Sequence, residues 1–256
     1  MLKKLKSIAK RSRLINGTYT GLHNWYRFFS ITSVKDIVNF FKDLGKLKLY
    51  LTVKPYTMVA FPRLSTLNRL ASRLEKEGVK GNFIECGVRN GGTAGVIAAA
   101  AKRDSGRHIW LFDSWEGFPE PDERDFSVMQ EEAKKGEDLG SEERVRELLF
   151  KRLNVDSSRV HLVKGWFSDT LREKEIGDVA LVHLDCDLYE SVKFCLENLY
   201  DRVVEGGYIV IDDYGYWKGC KQAVDEFIEH RNLNVQMVRV DSQGVYFRKE
   251  SVNSSK

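Results

Sequence analysis

The chain has 256 residues, 42% of them hydrophobic, with 41 lysines and arginines against 37 aspartates and glutamates and a formal net charge of +4. That length suits one large α/β domain with a buried core or two small ones; the composition excludes a mostly disordered chain, and so modest a charge leaves no electrostatic footprint for nucleic acid. No run approaches the ~20 apolar residues that cross a bilayer, and the four cysteines (Cys86, Cys186, Cys195, Cys220) form no CxxC pair, so they read as reduced thiols in a cytoplasmic protein.

In chain order, residues 1–54 form a basic helical extension. No acid occurs before Asp36, while Lys3, Lys4, Lys6, Lys10, Arg11, Arg13, Arg27 and Lys35 are basic. Leu2, Leu5, Ile8 and Ala9 recur at helical spacing, and a second helix is expected over 33–46 with Ser33 as its N-cap. The basic face reads as solvated or packed in a homodimer or higher oligomer, ahead of a peripheral membrane contact. A third helix is expected over 61–78, with Pro62 in its first turn and Gly78 at its end.

The pattern then changes to strand–helix alternation. Strands are expected at 82–87, 108–113, 159–165, 178–185 and 207–213, with helices between them. An acidic insert, 116–140, precedes a helix starting at Ser141, whose first turn carries Glu142 and Glu143. Thr170 to Glu173 reads as a capping box. Segments 234–240 and 244–249 close the chain as strands joined too tightly to run parallel. The result is a seven-stranded, mostly parallel sheet with one reversed strand. The α/β domain is assigned to 55–250 and a frayed tail to 251–256.

In open α/β sheets, ligands bind beyond the carboxyl ends of the strands. Those ends carry Glu85-Cys86-Gly87, Asp113-Ser114-Trp115, Gly165-Trp166-Phe167-Ser168, Asp185-Cys186-Asp187 and Asp212-Asp213. The first turn, ECGVRNGGT, brings backbone close to a ligand and aims helix N-terminal amides at it, although its glycine spacing is not the dinucleotide GxGxxG. Asp113 is placed either to accept ribose hydroxyls or to cap the following turn. Trp115 and Trp166 either flank an adenine or fill the core. His183, inside the fourth strand, reads as a partnered core histidine.

The aspartates after the fourth and fifth strands raise the sharpest question. If the two strands are neighbours, up to four carboxylates converge, and without a cation some must take up protons. Oxygen-only donors suit Mg²⁺, with Mn²⁺ as a substitute. The plainer alternative is that Asp187 and Asp213 cap the helices that follow.

FIECGVRNGGT, LFDSWEGFPEP, VKGWFSDTL, LVHLDCDLYESV and GGYIVIDDYGYWKGCKQAV, in that order, resemble the macrocin O-methyltransferase family. Its members are S-adenosylmethionine- and Mg²⁺-dependent enzymes with a Rossmann-like class I methyltransferase fold, and they methylate sugar hydroxyls on macrolide and aminocoumarin antibiotics. The resemblance implies that Asp185, Asp212 and Asp213 ligate the metal and that Asp187 is the general base. It places Glu85, Gly87, Asn90, Gly91, Gly92 and Thr93 near the methionine part of the cofactor. Asp113, with Ser114 and Trp115, falls on the ribose side, and Gly165, Trp166, Phe167 and Ser168 line the adenine side. Thr57 and Met58 close over the cofactor, and Asp185 also touches it. Two positions depart from the pattern: Cys186 stands where glycine is common, and Val88-Arg89 where a Trp-Arg pair often precedes the glycines.

The expected acceptor is a small molecule or glycan presenting a vicinal diol, with the acidic insert as either a substrate lid or a solvated loop. A metal-dependent nucleotide-sugar glycosyltransferase, which also uses Asp-x-Asp at a strand end, is the rival enzyme. A non-catalytic nucleotide-binding module is the rival of another class.

Overall fold

The computed structural model describes residues 46–101 and 106–250. The expected basic helix near the N-terminus, nearly all of the one expected over 33–46, and the tail lie outside the described residues. Within them, α1 (Leu47–Val53) and α2 (Phe61–Glu77) precede β1 (Asn82–Cys86), α3 (Gly92–Ala101) and β2 (Ile109–Asp113). The acidic insert leads to α4 (Glu142–Arg146), which runs on as a π-helical segment, Glu147–Arg152. There follow β3 (Val160–Lys164), α5 (Phe167–Thr170), β4 (Val179–Leu184), α6 (Tyr189–Leu199), β5 (Val203–Ile211), α7 (Lys218–His230), β6 (Val238–Arg239) and β7 (Val245–Arg248).

The seven strands form one sheet in the order β3-β2-β1-β4-β5-β7-β6. All pairs among β1 to β5 are parallel, and β7 is antiparallel to both of its neighbours. It is therefore the single reversed strand that the short closing link demanded. β6 is only two residues long, shorter than the alternation of 234–240 suggested.

Every residue of β4 is buried, as expected for a central parallel strand covered on both faces. Phe83, Leu111, Leu181 and Tyr208 pack towards α1, α2 and α3. Their neighbours Ile84, Phe112, Val182 and Ile209 pack towards α6 and α7. In α2, Leu64, Leu67, Leu70, Ala71 and Leu74 are buried at the i, i+3, i+4 spacing of one helix face. Gly78 ends that helix in the left-handed region (φ 69°), where its N–H bonds back to the Leu74 and Glu75 carbonyls. Ser141 caps α4 as expected, its hydroxyl accepting from the Arg144 N–H at 3.3 Å.

The capping box at Thr170 is not there. Thr170 is the last residue of α5 rather than the residue before a helix, and its hydroxyl donates back to the Trp166 carbonyl at 2.8 Å. No helix follows for Glu173 to cap, so the local pattern had no element to act on.

The entry into β1 is locked by Arg107. Its Nε lies 2.5 Å from Glu75 Oε1, Nη2 donates to the Val79 carbonyl at 2.7 Å, and Nη1 donates to the Gly81 carbonyl. Both side chains of the ion pair are buried, and the guanidinium sits 4.3 Å from the Phe83 ring centroid. Replacing one partner of such a pair leaves an uncompensated buried charge, so Arg107→Met should cost about 3–5 kcal/mol. Denaturant unfolding checks this; a loss below about 1 kcal/mol would show that the pair does not hold the turn.

Candidate active site

At the end of β1, the chain turns at Gly87 with φ 89°. A Cβ there would lie 1.8 Å from the Asp185 carbonyl oxygen, so the first turn can abut the β4 loop only because residue 87 has no side chain. Asp113 at the end of β2 organises the same turn. Its Oδ2 accepts from the Val88 and Arg89 N–H groups at 2.7 Å each, and its Oδ1 accepts from the Trp115 N–H at 2.6 Å.

β4 and β5 are neighbours, and their register pairs Leu184 with Ile211. The next residues are Asp185 and Asp212, each still tied into the ladder by its N–H, to the Cys86 and Leu184 carbonyls respectively at 2.9 Å. Asp185, Asp212 and Asp213 each offer an oxygen within 4.8 Å of the others. The helix-capping alternative fails: Leu188 and Trp217 are the N-cap residues of α6 and α7, and neither helix has a side-chain cap. Asp187 sits instead in the left-handed region at φ 60°, which Asp tolerates better than most residues.

Burial, then repulsion from Asp212, pushes the Asp185 carboxyl well above its ordinary range. Burial, then Asp213, does the same to Asp187. Asp213 is pushed up to about 6 by burial and by Asp212. Burial also opposes the charged form of Asp212, but the guanidinium of Arg63 outweighs it and holds that carboxyl below its usual value. Arg63 Nη1 bonds Asp212 Oδ2 directly.

On the other side of Asp212, His183 Nε2 lies 3.6 Å from Oδ1, while His183 Nδ1 is 2.8 Å from Glu85 Oε1. Burial disfavours the imidazolium, but Asp212 and Glu85 outweigh it and raise His183 well above its ordinary value. His183 is thus a partnered core histidine. Glu85, His183 and Asp185 also lie within ligating distance of one another, but Glu85 already holds His183 Nδ1. Three converging carboxylates, two of them pushed towards the protonated form, fit a hard, oxygen-liganded divalent cation such as Mg²⁺.

Two cavities meet at this cluster. The larger, about 370 Å³, is lined by Thr57, Met58, Thr93, Asp185, Asp187, Asp212 and Asp213, with Arg63 and four aromatic residues, Tyr56, Phe118, Tyr216 and Trp217. The smaller, about 80 Å³, is lined by Gly87, Asp113, Ser114, Gly165, Trp166 and Phe167. Asp185, Asp187, Arg89, Asp138 and Phe118 belong to both walls.

Six of the expected cofactor residues line neither cavity. Glu85 is committed to His183. Gly91 abuts Val145, and a Cβ on Gly92 would lie 2.4 Å from the Thr57 Cβ, so both glycines support the wall from behind. Trp115 is a core residue whose indole N–H donates to the Arg89 carbonyl at 2.9 Å. Ser168 donates its hydroxyl to Asp169 at 2.8 Å in an exposed position. Asn90 is half-buried in the turn.

The two ends of the acidic insert line both cavities, while most of 128–137 is exposed. Phe118 and Asp138 form part of each wall, and Arg89 Nε pairs with Asp138 Oδ1 at 2.6 Å. Asp125 is the rivet. It is buried, its Oδ1 accepts from the Tyr189 N–H at 2.8 Å, and a Cβ at Gly219 would fall 2.1 Å from that same oxygen. Short bridges join Phe126 to Glu132 and Ser127 to Trp217.

Sequence reasoning missed Arg63, Asp138, Phe118, Tyr216 and Trp217. For Arg63 no local signal exists, since its partner Asp212 is 149 positions away. For the aromatic wall the cue was present, because Tyr216 and Trp217 lie three and four positions after Asp213.

A family model described as Macrocin-O-methyltransferase (TylF) matches residues 51–249. Demethyldecarbamoylnovobiocin O-methyltransferase of Streptomyces niveus is 33% identical over 201 residues, 76% of this chain and 76% of its own length. Mycinamicin III 3''-O-methyltransferase of Micromonospora griseorubida is 29% identical over 204 residues, 77% of this chain and 79% of its own. Among solved structures, the O-methyltransferase NovP superposes with a TM-score of 0.70 at 30% identity, covering 77% of this chain and 83% of that one. The calicheamicin methyltransferase CalS11, at 20% identity and a TM-score of 0.59, shares the fold over 90% of this chain and 91% of its own. Among the described residues, no helix is long and apolar enough to cross a membrane.

Asp213 generates a pH prediction. Its folded-state value, about 6, stands above the ordinary 3.8. The native state therefore binds more protons than the unfolded chain, and the metal-free protein should lose stability as pH rises through that window. A cation that displaces those protons should restore it, so Mg²⁺ should raise Tm more at about pH 8 than at about pH 5. Thermal melts with and without Mg²⁺ check this; an equal rise at both values would contradict it.

Proposed function

The chain belongs to the macrocin O-methyltransferase family, and from that premise we propose that it methylates one hydroxyl of a sugar or similar vicinal diol, with S-adenosylmethionine as donor and Mg²⁺ held by Asp185, Asp212 and Asp213. That it is an O-methyltransferase follows from the family; the cation and the acceptor class are the further step. The observation that carries the reading is the position of Asp187, which stands in the wall shared by the two cavities, beside the metal-competent carboxylates.

The smaller cavity, between Gly87, Asp113 and Trp166, accepts the nucleoside side of the donor. The larger cavity takes the acceptor. Its aromatic wall is preorganised, with Phe118 edge-on to Trp217 at 6.0 Å between ring centroids and Tyr216 edge-on to Trp217 at 5.3 Å. Such a wall offers apolar faces to sugar C–H groups, with carboxylates opposite to meet the hydroxyls. When bound, Mg²⁺ would lower the pKa of an acceptor hydroxyl, and S-adenosylmethionine would supply the electrophilic methyl group.

Asp187 would take the proton from that hydroxyl, and the donor would give up its methyl group with the carbon–sulfur bond broken and S-adenosylhomocysteine as the leaving group. Burial and Asp213 make the Asp187 carboxylate a stronger base than an ordinary aspartate. Oxygen attack on a sulfonium methyl neutralises charge, so the chain contributes chiefly by positioning. Phe118 and Asp138 stand in the wall shared by the two cavities, with Asp138 held there by its ion pair with Arg89. An Asp-x-Asp glycosyltransferase would need neither the Gly87 turn nor the second pair of aspartates.

Calorimetry with S-adenosylhomocysteine and with a UDP-sugar, each with Mg²⁺, tests the reading, together with turnover of vicinal-diol glycosides. S-adenosylhomocysteine should bind and the UDP-sugar should not. Asp187→Asn should lower kcat by about 10²–10⁴-fold while leaving S-adenosylhomocysteine affinity near normal. Binding of the UDP-sugar alone would remove the methyltransferase reading, and undiminished turnover would clear Asp187 of the base role.

A further inference from the structure

Arg63 is neither base nor metal donor, yet it is built into the carboxylate cluster. It reaches in from α2, where Nη1 bonds Asp212 Oδ2 and lies 3.3 Å from the Asp212 carbonyl oxygen. Its Nε lies 3.2 Å from Asp241 Oδ2. Asp241 is fixed in turn, because its Oδ1 accepts from the Gln243 and Gly244 N–H groups at 2.8 Å each. The slot depends on Gly244: a Cβ there would lie 2.7 Å from Arg63 Cδ. The guanidinium is thus hydrogen-bonded to Asp212 at one end and ion-paired with Asp241 at the other, with 11% of its side chain exposed against 4% for Asp212.

The clamp has a consequence for the ion. A carboxylate can give a cation one oxygen or two. Asp212 Oδ2 is taken by Arg63, while Oδ1 faces His183 Nε2 at 3.6 Å, an ion-pair distance too long for a hydrogen bond, and is the oxygen left to ligate a cation. Ca²⁺ takes about 6–8 oxygens in flexible geometry and accommodates bidentate carboxylates, whereas Mg²⁺ is smaller and demands near-ideal octahedral geometry.

We propose that Arg63 is a specificity-determining residue for the cation: by holding Asp212 Oδ2 it restricts that carboxylate to one ligating oxygen, and so selects Mg²⁺ against Ca²⁺. This rests on the cation reading of the Asp185–Asp212–Asp213 cluster. It separates from a purely electrostatic role because Mg²⁺ and Ca²⁺ carry the same charge. Losing the positive charge of Arg63 changes both affinities alike, and only their ratio reports the carboxylate geometry.

The test is calorimetric titration of the metal-free full chain with MgCl₂ and with CaCl₂, without turnover. The proteins are wild type, Arg63→Met and Arg63→Lys, with circular dichroism to confirm folding. The wild type should prefer Mg²⁺. In Arg63→Met the ratio of Ca²⁺ to Mg²⁺ dissociation constants should fall by about tenfold or more, about 1.4 kcal/mol. Arg63→Lys keeps the charge but lacks the planar fork that spans Asp212 and Asp241, so its ratio should fall as well. If Arg63→Met does not fold, Arg63→Lys and Asp241→Asn, which removes the outer clamp, decide the matter in the same way. A ratio within about twofold of wild type in the folded variants overturns the proposal, since that is under 0.5 kcal/mol. A wild-type chain that binds neither ion overturns the cation reading itself, a distinct result.

Discussion

The site depends on one electrostatic constraint: the parallel pairing of β4 and β5 delivers aspartates from both strand tips to the same point. Each carboxylate there is shielded from water, and each opposes ionisation of the next. Such a cluster persists only with counter-charge. The chain supplies part of it, from Arg63 on one side of Asp212 and His183 on the other. The remainder fits a divalent ion, and the acid–base character of Asp187 follows from the same crowding.

The fold supports that arrangement at some local expense. β4 is covered on both faces, so its direction and register are fixed by packing rather than by any residue of the site. Gly87 lets the first turn lie against the Asp185 carbonyl. Asp113 spends its carboxylate on backbone amides of that turn, which makes it an organiser of the donor cavity as well as part of its wall. Asp187 is held at a positive φ, a conformation that persists where surrounding structure imposes it and that recurs at functional positions.

Much of this was legible in the sequence. Strand–helix alternation gave the parallel sheet, the short closing link gave the reversed strand, and the aspartates could be placed at the tips of the fourth and fifth strands, whose adjacency only the structure shows. What escaped were the long-range partners. Arg63 carries no periodic or spacing signal, and its role appears only when α2 packs beside the end of β5. Trp115 was legible as an aromatic near the site, but only the three-dimensional turn reveals that its ring points into the core. The Thr170 capping pattern failed for the opposite reason: its letters were right, but no helix follows them. The insert was ambiguous as sequence because charged loops and lids share a composition; in the fold it has both characters, with Asp125 buried against α6 and α7 and most of 128–137 exposed.

The most direct test of the central claim is anomalous diffraction from a crystal grown with Mn²⁺ and S-adenosylhomocysteine. The account requires a peak bonded to oxygens of Asp185, Asp212 and Asp213, with Asp187 adjacent and the homocysteine sulfur turned towards it. Full donor occupancy with no metal peak among these carboxylates, or a peak held elsewhere, would contradict it.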